Sequence, residues 1–300
     1  MQIGFLGIGQ MGVPMSRNVA RRFRVIGWDV RPEAVDAAGL ATTDRPNNPA
    51  EVARRAEVTI LMVRDATQAD QVLNGPNGYL AGATSGHTLV VMSSLSPSFV
   101  SSAALTLAAR GVDVLDAPVS GGVEGATAAT LTIMAAGKPE VLARCRPVLE
   151  LMGTRVVDVG QRPGLGQTVK AMNQLAYFSN MAAAAEALVV AAKAGVDPDT
   201  MIDVLSTSSG DSWALRNRVP LAWRNDYVSG GALSIARKDL KSATDLAEHL
   251  GIPLLVGAAT AQLVALSEAI WGRDGDDPLL VKTIERLGQT RLGKPDAGND

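Results

Sequence analysis

Among the side chains that could exchange a proton, one lysine stands out by its surroundings. Lys170 lies in the apolar segment GQTVKAMNQLAY, and Asn173 and Gln174 follow it at i+3 and i+4. This spacing puts the three side chains on one face of a helix. Burial lowers the pKa of an amine, which would let it exchange a proton with an alcohol near neutral pH. The segment therefore predicts Lys170 as a general acid or base; the alternative is a lysine whose ammonium group reaches solvent.

The other residue types usually used in catalysis are scarce or poorly placed. His87 precedes a predicted strand, at the sheet end opposite the predicted cofactor edge, and His249 ends a predicted helix. The single cysteine, Cys145, lies in the helical segment EVLARCRPVLELMG and is expected to be a buried structural thiol. No group of potential ligands has metal-site spacing, so the sequence predicts no metal.

A hydroxyl and two glycines follow the predicted strand VDVLDAP. Ser120, Gly121 and Gly122, within DAPVSGGVEGA, offer a side-chain donor and open backbone N–H groups. Such groups can bind a small carboxylate. A plain glycine-rich turn is the alternative.

Two further polar positions are candidates for contact with a cofactor. Ser93 and Ser94 follow the predicted strand HTLVVMS, where they either contact a cofactor ribose or cap the next helix. Lys238 precedes Asp239 in ARKDLKSA, where the alternative is a surface ion pair.

The first strand, turn and helix are typical of a dinucleotide site. The G-x-G-x-x-G turn between the strand QIGFL and the helix MGVPMSRNVARRF is Gly7-Ile8-Gly9-Gln10-Met11-Gly12. Gly7 would make the tight turn, Gly9 would let the backbone approach a pyrophosphate, and Gly12 would let the helix pack on the strand. The helix N-terminus would bind the phosphates. The unit predicts NAD or NADP as cofactor.

The end of the second predicted strand bears on the choice between them. Asp29 stands where a carboxylate binds the adenosine ribose hydroxyls, which favours NAD, because a 2′-phosphate would meet a like charge. Val30 and Arg31 follow, and a guanidinium can pair with that phosphate. NAD is the predicted cofactor, and NADP stays open.

The elements that must position these residues follow a clear order. Up to residue 160, short apolar runs alternate with helical segments, which predicts an α/β Rossmann domain with a doubly wound, mainly parallel sheet. Beyond it the segments are helical, beginning with a helix of about thirty residues. The predicted domains are residues 1–162 (NAD(P)-binding), residues 163–290 (helical, for substrate and oligomerisation) and a loose tail at residues 291–300.

Composition excludes several partners. The 300-residue chain has a net charge of −2 and no basic block, so we expect no nucleic-acid partner. The longest apolar run, NMAAAAEALVVAAKAG, is interrupted by Glu186 and Lys193, so we expect no membrane partner. One cysteine and an N-terminus without a signal-like segment predict a cytoplasmic protein.

Four segments, in this order and spacing, resemble the β-hydroxyacid dehydrogenase family: GFLGIGQMGVPMSRNV, DAPVSGGVEGA, GLGQTVKAMNQ and KDLKSA. The resemblance covers residues 1–290. It implies a Rossmann domain, a helical domain built on a long linking helix, and NAD(P)-dependent hydride transfer involving a small 3-hydroxy acid, such as 3-hydroxyisobutyrate, or its semialdehyde. It also implies a homodimer or homotetramer.

The resemblance assigns roles residue by residue. Lys170 matches the catalytic lysine, and Ser120, Gly121 and Gly122 match the loop that binds the substrate carboxylate. Positions near the substrate or the cofactor are Asn173, Gln174, Val63, Ser94 and Lys238. Gln174 stands where the family usually has asparagine, and Val63 lies in MVRDA, where the family often has Leu-Pro.

Other functions compatible with the same architecture stay open. NQLAYFSNMAAAAEAL and SSGDSWALRNRVP resemble the branch that acts on four-carbon sugar acids of the threonate type, and a tartronate semialdehyde-type reductase is a further alternative. An imine reductase would be expected to carry Asp or Tyr at position 170. A non-catalytic scaffold would be expected to lack the lysine.

Overall fold

The chain divides into two compact units, and the division falls within one helix. The structure, a computed structural model, describes residues 1–40, 45–224 and 226–292. The first unit is Met1–Lys170, and the second begins at Ala171. The sequence placed a domain boundary at 162/163, just before this helix begins at Leu165. Of the predicted tail, only Arg291 and Leu292 lie among the described residues.

One mixed sheet forms the centre of the first unit. Its strands are β1 (Gln2–Leu6), β2 (Arg24–Trp28), β3 (Val58–Leu61), β4 (Thr88–Val91), β5 (Asp113–Asp116), β6 (Val119–Ser120), β7 (Thr132–Ala136) and β8 (Arg155–Gly160). The order is β2-β1-β3-β4-β5-β7-β6, and β8 pairs with β7. The first five strands are parallel, as is the β7–β8 pair, whereas β7 runs antiparallel to β5 and β6. The predicted mainly parallel sheet is confirmed; β6 was not predicted, because two residues leave no periodic pattern.

Helices cover both faces of this sheet. They are α1 (Gly12–Ala20), α2 (Pro32–Ala37), α3 (Pro49–Arg55), α4 (Ala66–Asn74), α5 (Pro97–Ala108), α6 (Gly122–Ala128) and α7 (Pro139–Leu149), with a 3₁₀ helix at Tyr79–Ala81. Asn48 and Ser96 cap α3 and α5, each with proline at the first helical position. Two apolar clusters hold the layers together, one around Ile3 and Phe5 and the other around Leu6. Alternate residues of β1 thus pack on opposite faces.

The register of the parallel strands defines one functional edge. Leu6 pairs with both Trp28 and Leu61, Leu61 pairs with Val91, and Val91 pairs with Asp116. These residues end their strands in a single row. The loops that leave this carboxyl edge are therefore the ones predicted to bind cofactor, in agreement with the usual ligand position in open α/β sheets.

Over its described residues the second unit consists of helices joined by loops, without a β-strand. Its elements are the remainder of α8 (Leu165–Lys193), α9 (Pro198–Ser206), α10 (Trp213–Asn217), α11 (Val219–Trp223), α12 (Leu233–His249), α13 (Leu255–Trp271) and α14 (Leu279–Gly288). The predicted helical domain is confirmed.

Helix α8 is long and apolar. Within residues 1–40, 45–224 and 226–292 it is the one helix whose length and hydropathy would allow it to cross a membrane, a property it shares with core helices of water-soluble proteins. Phe178, Met181, Ala185 and Leu188 of α8 are buried in the apolar core of the second unit. One face of the helix therefore contributes to this core, and 39% of its most apolar window is buried.

Candidate active site

The glycine-rich turn between β1 and α1 has the geometry that its sequence predicts. Gly7 has φ +94°, a left-handed conformation that favours glycine, and a Cβ there would lie 2.3 Å from the Met62 carbonyl oxygen. A Cβ on Gly12 would lie 2.3 Å from the Gly7 carbonyl oxygen. Both glycines are therefore required by the fold itself.

Gly9 differs from its two neighbours in the motif. A Cβ at this position would meet only the Arg31 Nη2 atom within 4 Å, at 3.9 Å. The fold thus leaves open space over the backbone of Gly9, just before α1 begins at Gly12. A pyrophosphate needs such a close approach to backbone N–H groups, so this turn fits a dinucleotide cofactor. Gln10 is exposed and Met11 is half-buried beside it.

Asp29 supports the turn from the end of β2. Its Oδ2 atom accepts a hydrogen bond of 2.8 Å from the Ile8 N–H. Its Oδ1 atom accepts from the Arg31 backbone N–H at 3.0 Å and from Arg31 Nε at 3.3 Å. The aspartate side chain is 9% exposed and the arginine side chain is 59% exposed, with the exposed Val30 between them. The acidic and basic groups at this position therefore form one pair rather than two separate determinants of cofactor choice.

The loops after β3 and β4 are joined by a buried serine. The Val63 N–H donates to Ser93 Oγ at 2.7 Å, and that hydroxyl donates to the Leu61 carbonyl oxygen at 3.3 Å. Ser93 is fully buried, and Ser94 next to it is half-buried. The predicted cofactor position Val63 is therefore held by this short network, and the predicted position Ser94 directly follows its central serine.

The predicted carboxylate-binding loop begins at the short strand β6. Ser120 is its last residue and pairs with Thr132 of β7. Gly121 and Gly122 have φ values of +132° and +62°, so both adopt conformations that side chains disfavour. Ser120 is half-buried and both glycines are exposed. The loop thus presents a hydroxyl group and exposed backbone, the two features from which the sequence predicts carboxylate binding.

Lys170 is buried on α8, with 9% of its surface exposed. Two residues that the sequence analysis did not select anchor the start of this helix. Asp116, at the end of β5, accepts hydrogen bonds from the N–H groups of Gly164 (2.8 Å) and Gln167 (3.1 Å) and from Gln167 Nε2 (2.8 Å). Asp116 opens the motif DAPVSGGVEGA, and an acidic residue that closes an apolar strand was the signal that could have identified it.

Burial changes the proton affinity of this carboxyl group. It raises the pKa of Asp116 from 3.8 to about 6, although N–H donors from Gln167 and Gly164 oppose the shift. A carboxyl whose pKa is higher in the folded chain binds its proton more tightly there, so its ionised form disfavours folding. The corresponding stability is fully present below pH 3.8 and is lost as pH rises through about 6.

The pH dependence of stability that Asp116 contributes can be measured. Between pH 7 and pH 5 the wild type should gain about 1 kcal/mol in its free energy of unfolding relative to Asp116→Asn, which has no carboxyl group to titrate at this position. Denaturant unfolding of both proteins at several pH values measures the difference. Two curves that run parallel across this range would contradict the assignment, whatever their vertical offset.

The amides after Lys170 lie in the second unit, where they contact an acidic residue. Asn173 Nδ2 donates to Gln174 Oε1 at 3.2 Å, and Gln174 Nε2 donates to Asp239 Oδ2 at 3.0 Å. Lys238 Nζ lies 3.1 Å from Asp239 Oδ1, and the aspartate side chain is only 6% exposed. The pair of Lys238 and Asp239 is therefore not confined to the surface. Gln174 has one methylene more than the asparagine that is usual at this position. That methylene is part of the side chain whose amide bonds to Asp239.

The predicted residues fall into two groups. The first unit holds the glycine-rich turn, the positions after β2, β3 and β4, the loop at Ser120 and Lys170, whereas the second unit holds Asn173, Gln174 and Lys238. Over the described ranges, no three His, Cys, Asp or Glu side chains are grouped to hold a metal ion. Cys145 is buried, which raises the pKa of its thiol to about 12, as expected of a structural cysteine.

Comparison with known proteins covers both units. Residues 2–160 match the family model described as the NAD binding domain of 6-phosphogluconate dehydrogenase. Residues 164–284 match the model described as NAD-binding of NADP-dependent 3-hydroxyisobutyrate dehydrogenase.

Individual relatives span the same length. L-threonate dehydrogenase of Cupriavidus necator is 35% identical over 285 residues, 93% of this chain and 95% of the relative. The structure of Mycobacterium tuberculosis 3-hydroxyisobutyrate dehydrogenase with L-serine aligns with a TM-score of 0.85 and 31% identity, over 95% of this chain and 98% of that one. An imine reductase from Myxococcus stipitatus in complex with NADP⁺ has a TM-score of 0.62 and 16% identity, over 95% of this chain and 100% of that one. At that identity only the fold is shared.

Proposed function

The chain belongs to the β-hydroxyacid dehydrogenase family, and on that premise we propose that it transfers a hydride between NAD(P) and a small 3-hydroxy acid or its semialdehyde, with Lys170 as the general acid/base. The observation that supports this most strongly is the anchoring of α8. Gly164, immediately before the helix, donates its N–H to Asp116 at the end of β5. The helix that carries Lys170 therefore starts at the sheet edge where the predicted cofactor residues lie.

The proposed mechanism needs a proton carrier, a site for the substrate carboxylate and groups that orient the substrate oxygen. The bound nicotinamide supplies the redox step, as hydride acceptor or donor. In the oxidative direction Lys170 takes the hydroxyl proton at its Nζ atom, and in the reductive direction its ammonium group polarises the carbonyl and then protonates the alkoxide. Ser120 and the backbone of Gly121 and Gly122 bind the substrate carboxylate. Asn173 and Gln174, three and four residues further along α8, hold the amine and the substrate oxygen in line.

The known relatives suggest which acid is the substrate. We infer a substrate of the 3-hydroxyisobutyrate type, and an acid of the threonate type is the second candidate, because an L-threonate dehydrogenase is 35% identical to this chain. Reduced-nicotinamide absorbance tests both, with NAD and then NADP against 3-hydroxyisobutyrate, L-threonate, glycerate, 3-hydroxypropionate, 4-hydroxybutyrate and serine. Turnover of one acid is expected. A protein that binds NADH but turns over none of these acids would count against the proposal.

Cofactor choice is proposed to depend on the pair of Asp29 and Arg31, with NAD preferred. In Asp29→Ala the guanidinium of Arg31 loses its carboxylate partner, so a 2′-phosphate meets a free positive charge instead of a neutralised one. The ratio of kcat/KM with NADP to kcat/KM with NAD should rise about tenfold, which corresponds to roughly 1.4 kcal/mol. Arg31→Ala is the matched control and should not raise the ratio. An unchanged ratio in Asp29→Ala would mean that another group sets the preference.

The proposal extends to the setting in which the enzyme works. We infer a cytoplasmic protein, because a chain whose single cysteine is free and buried fits a reducing compartment. We also infer a homodimer or homotetramer, which rests on the family resemblance and is tested by sedimentation velocity.

A further inference from the structure

We propose that Asp116 and Gln167 are positioning residues, which hold Lys170 in a fixed relation to the two loops at residues 62–64 and 92–95, where the cofactor is expected. The inference rests on the proposed role of Lys170 as acid/base. It assigns a function to two polar side chains of the first unit that are almost fully buried.

The Gln167 side chain forms the centre of the arrangement. It is 1% exposed, and its Nε2 atom donates both to the Ser93 carbonyl oxygen at 3.0 Å and to Asp116 Oδ1 at 2.8 Å. Its Oε1 atom accepts from the Leu95 N–H at 2.9 Å. Both amide protons and the amide oxygen are therefore used, two of the three bonds on the loop after β4 and one on the end of β5. One side chain thus joins the loop after β4, the end of β5 and the first turn of α8.

Asp116 fixes the backbone at the start of α8. Its Oδ2 atom accepts from the Gly164 and Gln167 N–H groups, and a Cβ on Gly166 would lie 2.9 Å from the same oxygen. The same Cβ would lie 2.6 Å from the Met134 carbonyl oxygen. The first turn of α8 therefore packs directly on the sheet edge, with no room for a side chain between them.

Lys170 lies close to Gln167 on the same helix, which holds the two residues at a fixed distance. It lies three residues after Gln167 on the same helix, an axial rise of about 4.5 Å. Toward the cofactor side the network continues through Ser93, whose Oγ atom accepts from the Val63 N–H. A shift of the first turn of α8 would therefore move Lys170 relative to both loops. The chemistry is sensitive to such a shift, because misplacement by about 1 Å can cost about 10²-fold in rate.

The first test removes the amide while keeping an apolar side chain of similar size. In Gln167→Leu we expect kcat to fall by about 10²-fold, and the NADH dissociation constant to stay within about threefold of wild type. Hydrogen–deuterium exchange of the protein without substrate should increase at the backbone amides of Leu95 and Gly164, which gives a readout independent of activity.

Thr283→Val in the second unit is the control. It removes a fully buried hydroxyl that donates to the Ser267 hydroxyl, far along the chain from Lys170. Its kcat should match wild type, even if its melting temperature falls. A Gln167→Leu variant with wild-type kcat, or with wild-type exchange at these amides, would overturn the proposal.

A second variant keeps the shape of the side chain and adds a pH readout. In Gln167→Glu a carboxylate oxygen replaces the donor that faces Asp116 and the Ser93 carbonyl, and the other titratable group nearby is Lys170, one turn along α8. Two carboxylates this close cannot both ionise readily, so they should share a proton as pH falls. The ratio of variant to wild-type kcat should therefore rise more steeply on acidification for Gln167→Glu than for Gln167→Leu, which leaves a single carboxyl group, that of Asp116, at this point. A flat ratio for Gln167→Glu would contradict the proposal, even if Gln167→Leu fails to fold.

The outcomes separate this inference from the proposed function. A wild-type protein that turns over no acid would overturn both, since positioning has meaning only for a catalytic lysine. Wild-type turnover that depends on Lys170 but not on Gln167 would overturn the positioning role alone.

Discussion

Lys170→Ala should lower turnover of the substrate acid by about three to four powers of ten, the upper part of the range for loss of a general acid/base. The reason is that hydride cannot leave a neutral alcohol carbon efficiently unless the hydroxyl proton is removed, and water must then replace a positioned amine. NADH affinity should stay within about threefold, because the proposed phosphate site is the turn after β1 and not α8. Steady-state kinetics and a fluorescence titration with NADH measure the two quantities.

The matched control for this variant is Lys241→Ala. Lys241 lies on α12 with 72% of its side chain exposed and pairs with Asp245 at 2.8 Å. Its loss removes a lysine without touching the proposed site, and turnover should be unchanged. A near-normal rate in Lys170→Ala would show that this lysine does not carry the proton, and the proposed mechanism would then be wrong.

Gly9→Ala should raise the NADH dissociation constant by about 10²-fold, or roughly 2.7 kcal/mol, without lowering the melting temperature. The added Cβ would have a protein neighbour no closer than Arg31 Nη2, at 3.9 Å, so the folded chain accommodates it. A pyrophosphate needs the same space to reach the backbone N–H groups of the turn. Loss of binding without loss of stability is therefore the signature of a cofactor site.

Gly86→Ala provides the opposite pattern. Gly86 has φ +90° and lies before β4, at the opposite end of that strand from Ser93, so an added side chain strains the backbone by about 1–2 kcal/mol. The melting temperature should fall while NADH affinity stays unchanged. If Gly9→Ala bound NADH as tightly as wild type, the turn after β1 would not hold the pyrophosphate.

The sequence was sufficient for the parts of the site that depend on local conformation. Gly7 and Gly12 are recognisable because a tight turn and a close helix contact exclude side chains there, and the structure shows both constraints. Asn48 and Ser96 are recognisable as caps because a capping side chain before proline is a local signal. The parallel sheet follows from the alternation of strands and helices, which is also local.

The contacts that the sequence did not reveal join segments far apart in the chain. Gln167 bonds to Leu95 and Asp116, which precede it by 72 and 51 residues. An isolated glutamine in GLGQTVK carries no sign of such partners, since only the three-dimensional fold brings them together. The contact of Gln174 with Asp239 is of the same kind, because it joins two helices separated by 65 residues. Hydrogen bonds between distant elements need the topology before they can be inferred.

The most direct test of hydride transfer follows the hydrogen itself. Purified protein is given NAD or NADP and the acid that it turns over, deuterated at the carbinol carbon, and the reduced cofactor is analysed by mass spectrometry. Direct transfer predicts that each reduced nicotinamide carries the deuterium from the substrate. Reduced cofactor without the label would contradict direct hydride transfer, and the assignment of this chain as a hydroxyacid dehydrogenase of that mechanism would fail.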